Sequence, residues 1–141
     1  RKFDRLSGGE RQRVVIAKTV AQDPSIFLLD EPTSDLDLRN QIAVMKELRE
    51  IVSNRESGKS AIIAIHDINI AARFADRILL LDDGKIIADG TPTQVLTEEN
   101  IAKVFEVSSE IIPESGTSPL KVWAEDEMSW EEIVKKGEKN E

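Results

Sequence analysis

The sequence predicts a layered α/β domain, because helix-period segments alternate along it with short, unbroken apolar runs. The runs are Ile26–Leu29, Ala61–Ile65 and Ile78–Leu81. None shows the apolar–polar alternation of a sheet with one wet face, which suits strands buried on both faces of a mostly parallel sheet with flanking helices. Two of the runs end in polar chemistry, Asp30-Glu31 and His66-Asp67. The carboxyl ends of strands are where such sheets place their ligands.

The elements follow in order. Ser7 is a good helix N-cap and Glu10, three residues on, completes a capping box, so a helix is predicted to Gln22, where Asp23-Pro24 ends it. Val14, Ile16, Ala17, Val20 and Ala21 give that helix a broad apolar side. The first strand is Ile26–Leu29. Leu38, Ile42, Met45, Leu48 and Val52 then recur at helical spacing up to Asn54. Gly58 breaks the chain before the second strand, Ala61–Ile65, and Ile68–Phe74 reads as a short helix. Asp83-Gly84 predicts a tight turn joining Ile78–Leu81 to Lys85–Ala88 in a hairpin. Gly90-Thr91-Pro92 opens a short helix, Thr97-Glu98-Glu99 caps another through Phe105, and Val107–Ile112 reads as a last strand. Pro113–Ser118 reads as a linker, and the remainder as an acidic, solvated tail or small appendage in which Ser129 and Glu132 cap an amphipathic turn with Trp130, Ile133 and Val134.

A length of 141 residues suffices for a real core, and 40% hydrophobic with 33% charged residues is an ordinary soluble balance. Without cysteine, disulfide frameworks and thiolate metal sites are excluded. No apolar run approaches the roughly 20 residues of a membrane-spanning helix. The net charge of −8 argues against a large nucleic-acid footprint. The charge is uneven: residues 1–22 carry six basic and two acidic side chains, residues 113–141 four basic and eight acidic. The basic start could face phosphates.

Three places carry chemistry. In Leu6-Ser7-Gly8-Gly9-Glu10, a helix start offers free N–H groups and its positive dipole end, two glycines admit an anion closely, and Ser7 can donate a hydroxyl; a plain capped helix after a glycine turn would look alike. Asp30 is suited to hold a hydrated Mg²⁺ and Glu31 to polarise a water toward a phosphoryl group, although acidic strand ends are also common as solvated turns. His66 should emerge on the same edge as Asp30, where a neutral imidazole could hold a water or touch a phosphate; a lone histidine is more often structural.

Taken together and in this order, the three resemble the ATP-binding cassette of ABC transporters. Leu6–Glu10 resembles the signature motif, within a helix over 6–22. Ile26–Asp30 resembles the Walker B strand, Glu31 its catalytic glutamate, and Ser34-Asp35-Leu36-Asp37 the D-loop, with Asp35 where a small residue is more usual. His66 resembles the switch histidine. The likeness runs across residues 5 to 112, so residues 1–112 read as the C-terminal part of a P-loop NTPase-like cassette and 113–141 as a tail.

That resemblance implies an ATPase whose sites form between two cassettes placed head to tail, with ATP and Mg²⁺ as cofactors. Asp30, Glu31 and His66 would serve this chain's own nucleotide. Ser7, Gly8, Gly9 and Glu10 would serve the partner's, Gln12 would orient them, and Asp37 would sit at the cassette contact. It implies transmembrane permease subunits as further partners, no nucleic acid, and a place on the cytoplasmic face of the cell membrane. The Walker A motif is missing. Gly58-Lys59-Ser60 is a decoy, since position 53 is Ser53 rather than Gly and a strand, not a helix, is expected to follow. The upstream part is therefore read as absent, and the 141 residues alone as inactive. His66-Asp67-Ile68-Asn69, Ala75-Asp76-Arg77, Asp83-Gly84-Lys85 and Gly90-Thr91-Pro92 resemble importers of the iron–siderophore, haem or cobalamin type. Two alternatives stay open. A DNA-repair or chromosome-maintenance ATPase shares the signature and the acidic strand end, but carries flanking coiled coils that are not visible here. A non-catalytic module would lend only its signature helix to a partner.

Overall fold

The fold is that of a computed structural model, which describes residues 6, 8–54 and 58–127. Ser7 and the turn expected around Trp130 lie outside the described residues. The chain divides into two compact units, Arg1–His66 and Asp67–Glu141.

In the first unit, helix α1 spans Gly8–Ala21. It closes through Gln22 N–H to Thr19 O (3.2 Å) and Asp23 N–H to Val20 O (3.0 Å). Asp23 takes a left-handed φ of 51°, and Pro24 then forbids a further turn. Strand β1, Ile26–Asp30, pairs in parallel with β2, Ser60–Ala64, and helix α2, Leu38–Ser53, lies between them in sequence and packs on β2. Asp37 begins α2 as its N-cap, accepting the Asn40 N–H. Ile16, Phe27, Leu36, Val44, Met45 and Leu48 form the buried interior. Phe27 is 1% exposed, and trimming such a ring to a methyl costs about 3–5 kcal/mol.

Two expectations are corrected here. The β1–β2 strands are not buried on both faces: Leu28 is 73% exposed and Ile62 61%, with Ile26 beside them. Side chains alternate along a strand, so Phe27 covers one face while Ile26 and Leu28 sit on the other. No layer covers that second face among the described residues of this unit. Nor does the apolar side of α1 or α2 match its periodicity throughout. Val14, Val15 and Leu38 are exposed, and Ile16 alone of the α1 apolar residues is buried.

The second unit opens with α3, Ile68–Phe74, capped by Asp67, whose carboxylate accepts the Ile70 N–H at 2.9 Å. Strands β3, Ile78–Asp82, and β4, Lys85–Gly90, form the expected hairpin. Asp83 (φ 44°) and Gly84 (φ 73°) are both left-handed, as a two-residue turn between right-twisted strands requires. Helix α4, Pro92–Val95, starts with a Thr91–Gln94 capping box. Helix α5, Glu98–Phe105, is capped by Thr97 and stopped by left-handed Glu106. Among the described residues, parallel pairing is confined to β1 and β2.

Of the two readings of residues 113–141, solvated tail or small appendage, the tail does not hold for residues 120–127. Lys121–Glu127 is a strand, β6, antiparallel to β5 (Val107–Ile112), with Ile111 opposite Val122. Leu120 and Val122 join Ala72, Leu80, Val95, Leu96 and Ile101 in one apolar cluster, where Ile101 is 0% exposed. Asn69 of α3 clips β6 in place. Its Nδ2 donates to Val122 O at 3.1 Å, and its Oδ1 accepts the Val122 N–H at 2.8 Å. The acidic run 125–127 hid a strand because Val122 alone of its residues is buried.

A chain ending at residue 112 should therefore unfold at clearly lower denaturant than the 141-residue chain, and Asn69→Ala should cost about 1–3 kcal/mol by stranding the Val122 amide and carbonyl. Equilibrium denaturation checks both; an unchanged midpoint after truncation would mean that β6 is not part of the core.

Candidate functional site at the carboxyl rim of β1 and β2

The site starts from strand register. Asp30 stands opposite Ala64, so β1 and β2 end level at one rim. Glu31 N–H then donates to Ala64 O at 3.0 Å, carrying the pairing one residue beyond β1. Glu31 has a left-handed φ of 42°. For a residue with a Cβ this costs about 1–2 kcal/mol, so the surroundings must hold it. They do. The Glu31 carbonyl accepts both the Ser34 N–H (3.2 Å) and the Ser34 hydroxyl (3.1 Å), and Pro32 and Thr33 are buried.

On the neighbouring strand the chain runs two residues past Ala64 to His66. Its Nε2 lies 2.6 Å from Glu31 Oε1. The side chains are 87% and 42% exposed, respectively. An exposed pair of this kind adds little to stability, so the strained backbone and the close approach are geometry without a stability rationale. A carboxylate here can take a proton from a water, and the imidazole, engaged through Nε2, keeps Nδ1 for a second partner.

Asp30 sits at the same rim and is exposed. No cluster of three or more His, Asp or Glu side chains that could cage a metal exists among the described residues. A single accessible carboxylate fits Mg²⁺, which keeps its waters and takes phosphate oxygens alongside one or two carboxylates. It does not fit an ion held by protein alone.

The remaining predicted residues lie on α1 and before α2. Gly8 opens α1, Gly9 follows, and Glu10 and Gln12 are half-buried on its first two turns. A Cβ placed on Gly9 would stand 3.0 Å from Leu36 Cδ2, so the helix approaches the 34–37 segment closely. Asp37 already has partners: its carboxylate accepts from Asn40 N–H (2.9 Å) and Asn40 Nδ2 (2.8 Å), while Arg13 Nη1 donates to Asn40 Oδ1 (3.1 Å). The Asn40 N–H above all, with the Asn40 amide and the Arg13 charge, holds the Asp37 carboxyl below its ordinary value. Sequence reading named Leu36 within the 34–37 segment without a role of its own and missed Asn40; the one available signal for Asn40 was an asparagine three residues after an N-cap. Lys59 ion-pairs with Asp23 and Ser60 opens strand β2, so Gly58-Lys59-Ser60 opens no helix.

The ABC transporter family model matches residues 1–34. The achromobactin transport ATP-binding protein CbrD of Dickeya dadantii is 46% identical over 114 residues, covering 81% of this chain and 42% of that protein. The hemin import ATP-binding protein HmuV of Bordetella avium is 40% identical over 127 residues, covering 83% of this chain and 48% of that one. A dimeric ATP-binding cassette in a post-hydrolysis state, bound to ADP and Pi, matches at 40% identity with a TM-score of 0.57, over 63% of this chain and 37% of that one. The chain thus spans less than half the length of the curated relatives it matches.

The depressed Asp37 carboxyl carries a pH prediction. A lowered folded value stabilises above the unfolded carboxylate range and is lost as pH falls through the folded value. The stability advantage of the wild-type chain over Asp37→Ala should be full at neutral pH and shrink as pH falls below the ordinary range of an aspartate carboxyl. Denaturant midpoints measured from pH 6 downward check this; a difference that stays constant into strong acid would contradict it.

Proposed function

From the premise that this chain belongs to the ATP-binding cassettes of ABC transporters, we propose that it forms the catalytic-rim and signature part of an import ATPase that drives uptake of an iron–siderophore or haem-like solute. The observation that carries the proposal is the Glu31–His66 contact of 2.6 Å at the end of paired strands. The named relatives, one for achromobactin transport and one for hemin import, support the solute class.

In this reading Glu31 orients and deprotonates the water that attacks the terminal phosphorus of ATP. The new P–O bond forms as the bond to the ADP oxygen breaks, and ADP, inorganic phosphate and a proton leave. His66 holds Glu31 by donating from Nε2 and offers the Nδ1 lone pair to the attacking water. Asp30 would hold Mg²⁺, whose chemistry is to neutralise charge developing on the phosphate oxygens. The strained Glu31 backbone keeps the carboxylate pre-aimed, which removes reorganisation from the reacting step. Gly8, Gly9, Glu10 and Gln12, with Ser7, would face the nucleotide of a second cassette, and Asp37 would lie near that contact. The dimeric relative bound to ADP and Pi supports pairing of this kind. Permease subunits complete the assembly, and the cytoplasmic membrane face is its place. No helix of the described residues is long and apolar enough to cross a membrane.

The phosphate-binding loop has no counterpart in these 141 residues, so the lysine and amide cradle for phosphates must come from elsewhere. The isolated chain should show no ATP turnover. In the whole ATPase, Glu31→Gln should lower kcat about 10²–10⁴-fold while ATP still binds. Single-turnover hydrolysis and nucleotide binding on the same preparation check this. Full activity in the Glu31→Gln enzyme, or turnover by the 141 residues alone, would overturn the reading.

A further inference from the structure

The start of α1 and the segment before α2 touch in two ways that differ in chemistry. The first contact is apolar. Gly9 lets α1 approach until a Cβ on it would stand 3.0 Å from Leu36 Cδ2. Leu36 is buried although Asp35 and Asp37 on either side are exposed, so its side chain is the inward anchor of the 34–37 segment. The second contact is polar and runs through one side chain. Arg13, on the second turn of α1, can only donate; the Asp37 carboxylate can only accept. The Asn40 amide has both functions, and it uses them: Oδ1 accepts from Arg13 at 3.1 Å and Nδ2 donates to Asp37 at 2.8 Å. The Asn40 N–H adds a third bond to the same carboxylate at 2.9 Å. A leucine at 40 keeps the size and loses both side-chain bonds. An aspartate loses the donor and sets two carboxylates together.

We propose that Leu36 and Asn40 are positioning residues that lock the first two turns of α1 to the 34–37 segment, so that the two move as one body. The Gly9–Leu36 contact fixes how near the helix start lies. The Arg13–Asn40–Asp37 relay fixes its rotation about its own axis, where a slip of one residue turns a helix face by about 100°. Side-chain bonds this exposed add little to stability; what they supply is a fixed direction for the helix start. The functional weight of the lock rests on the reading above, in which both parts face a second cassette. The lock itself does not.

The test reads amide hydrogen exchange and backbone NMR shifts in the full 141-residue chain without nucleotide. Asn40→Leu should speed exchange at the hydrogen-bonded amides of Arg11–Val14 about fivefold, the factor of one modest hydrogen bond, and leave Phe27 and Ile63 unchanged. Gly9→Ala should move the resonances of residues 34–37. Adding Leu36→Val to Gly9→Ala should move them back, a size-compensating rescue that a merely destabilising change would not give. Unchanged α1 exchange in Asn40→Leu, or a Gly9→Ala chain whose 34–37 resonances stay in place, overturns the lock. In the whole ATPase, Asn40→Leu should lower kcat about fivefold with KM for ATP unchanged. Faster exchange with an unaltered kcat would leave the lock standing and remove the role given to this surface under Proposed function.

Discussion

The parallel register of β1 and β2 is the constraint on which the site depends. With Asp30 opposite Ala64, the two strands end at one level, and the residues that follow must share one rim. The Glu31 N–H to Ala64 O bond extends that pairing into the turn and forces a glutamate into a left-handed conformation. A one-residue slip would reverse every side chain of β1 about its strand and place Phe27 in water. The buried Phe27 ring is therefore what fixes the register, and the register is what brings Glu31 to His66.

The same strands present an open face. Ile26, Leu28 and Ile62 lie on it, and in the second unit Leu79, Leu81 and Ile86 are exposed on the β3–β4 hairpin. Unbroken apolar runs are written for burial on both sides. That signal was read correctly as composition and incorrectly as burial in this chain, because a second covering layer depends on residues that a local run cannot specify. Relatives are more than twice as long as the stretch matched here. The apolar faces are surfaces with the character of an interior.

What was legible in the sequence was set by neighbours a few residues apart. Asp83-Gly84 demanded left-handed angles, Gly90-Thr91-Pro92 a helix start, Thr97 a cap, and each stands where it was read. The candidate rim was legible too, since strand ends and the polar residues after them are local. What was not legible came from contacts across many residues. The Asn69 clip on Val122 spans 53 positions, and the Arg13–Asn40 bond spans 27. Strand β6 was hidden behind a Gly, Ser and Pro stretch and an acidic run, both of which look solvated until a partner strand supplies the hydrogen bonds. Asp37 also caps α2 by accepting from Asn40, a role that only the helix start reveals.

The placement of Glu31 and His66 side by side is the claim from which the proposed chemistry proceeds. It is tested most directly by nuclear Overhauser contacts in the 141-residue chain between the His66 ring protons and the Glu31 side-chain methylenes. These should appear together with cross-strand contacts between Leu28 and Ile62. Cross-strand contacts without any between His66 and Glu31 would contradict it, because the register would then stand while the rim it is said to build did not.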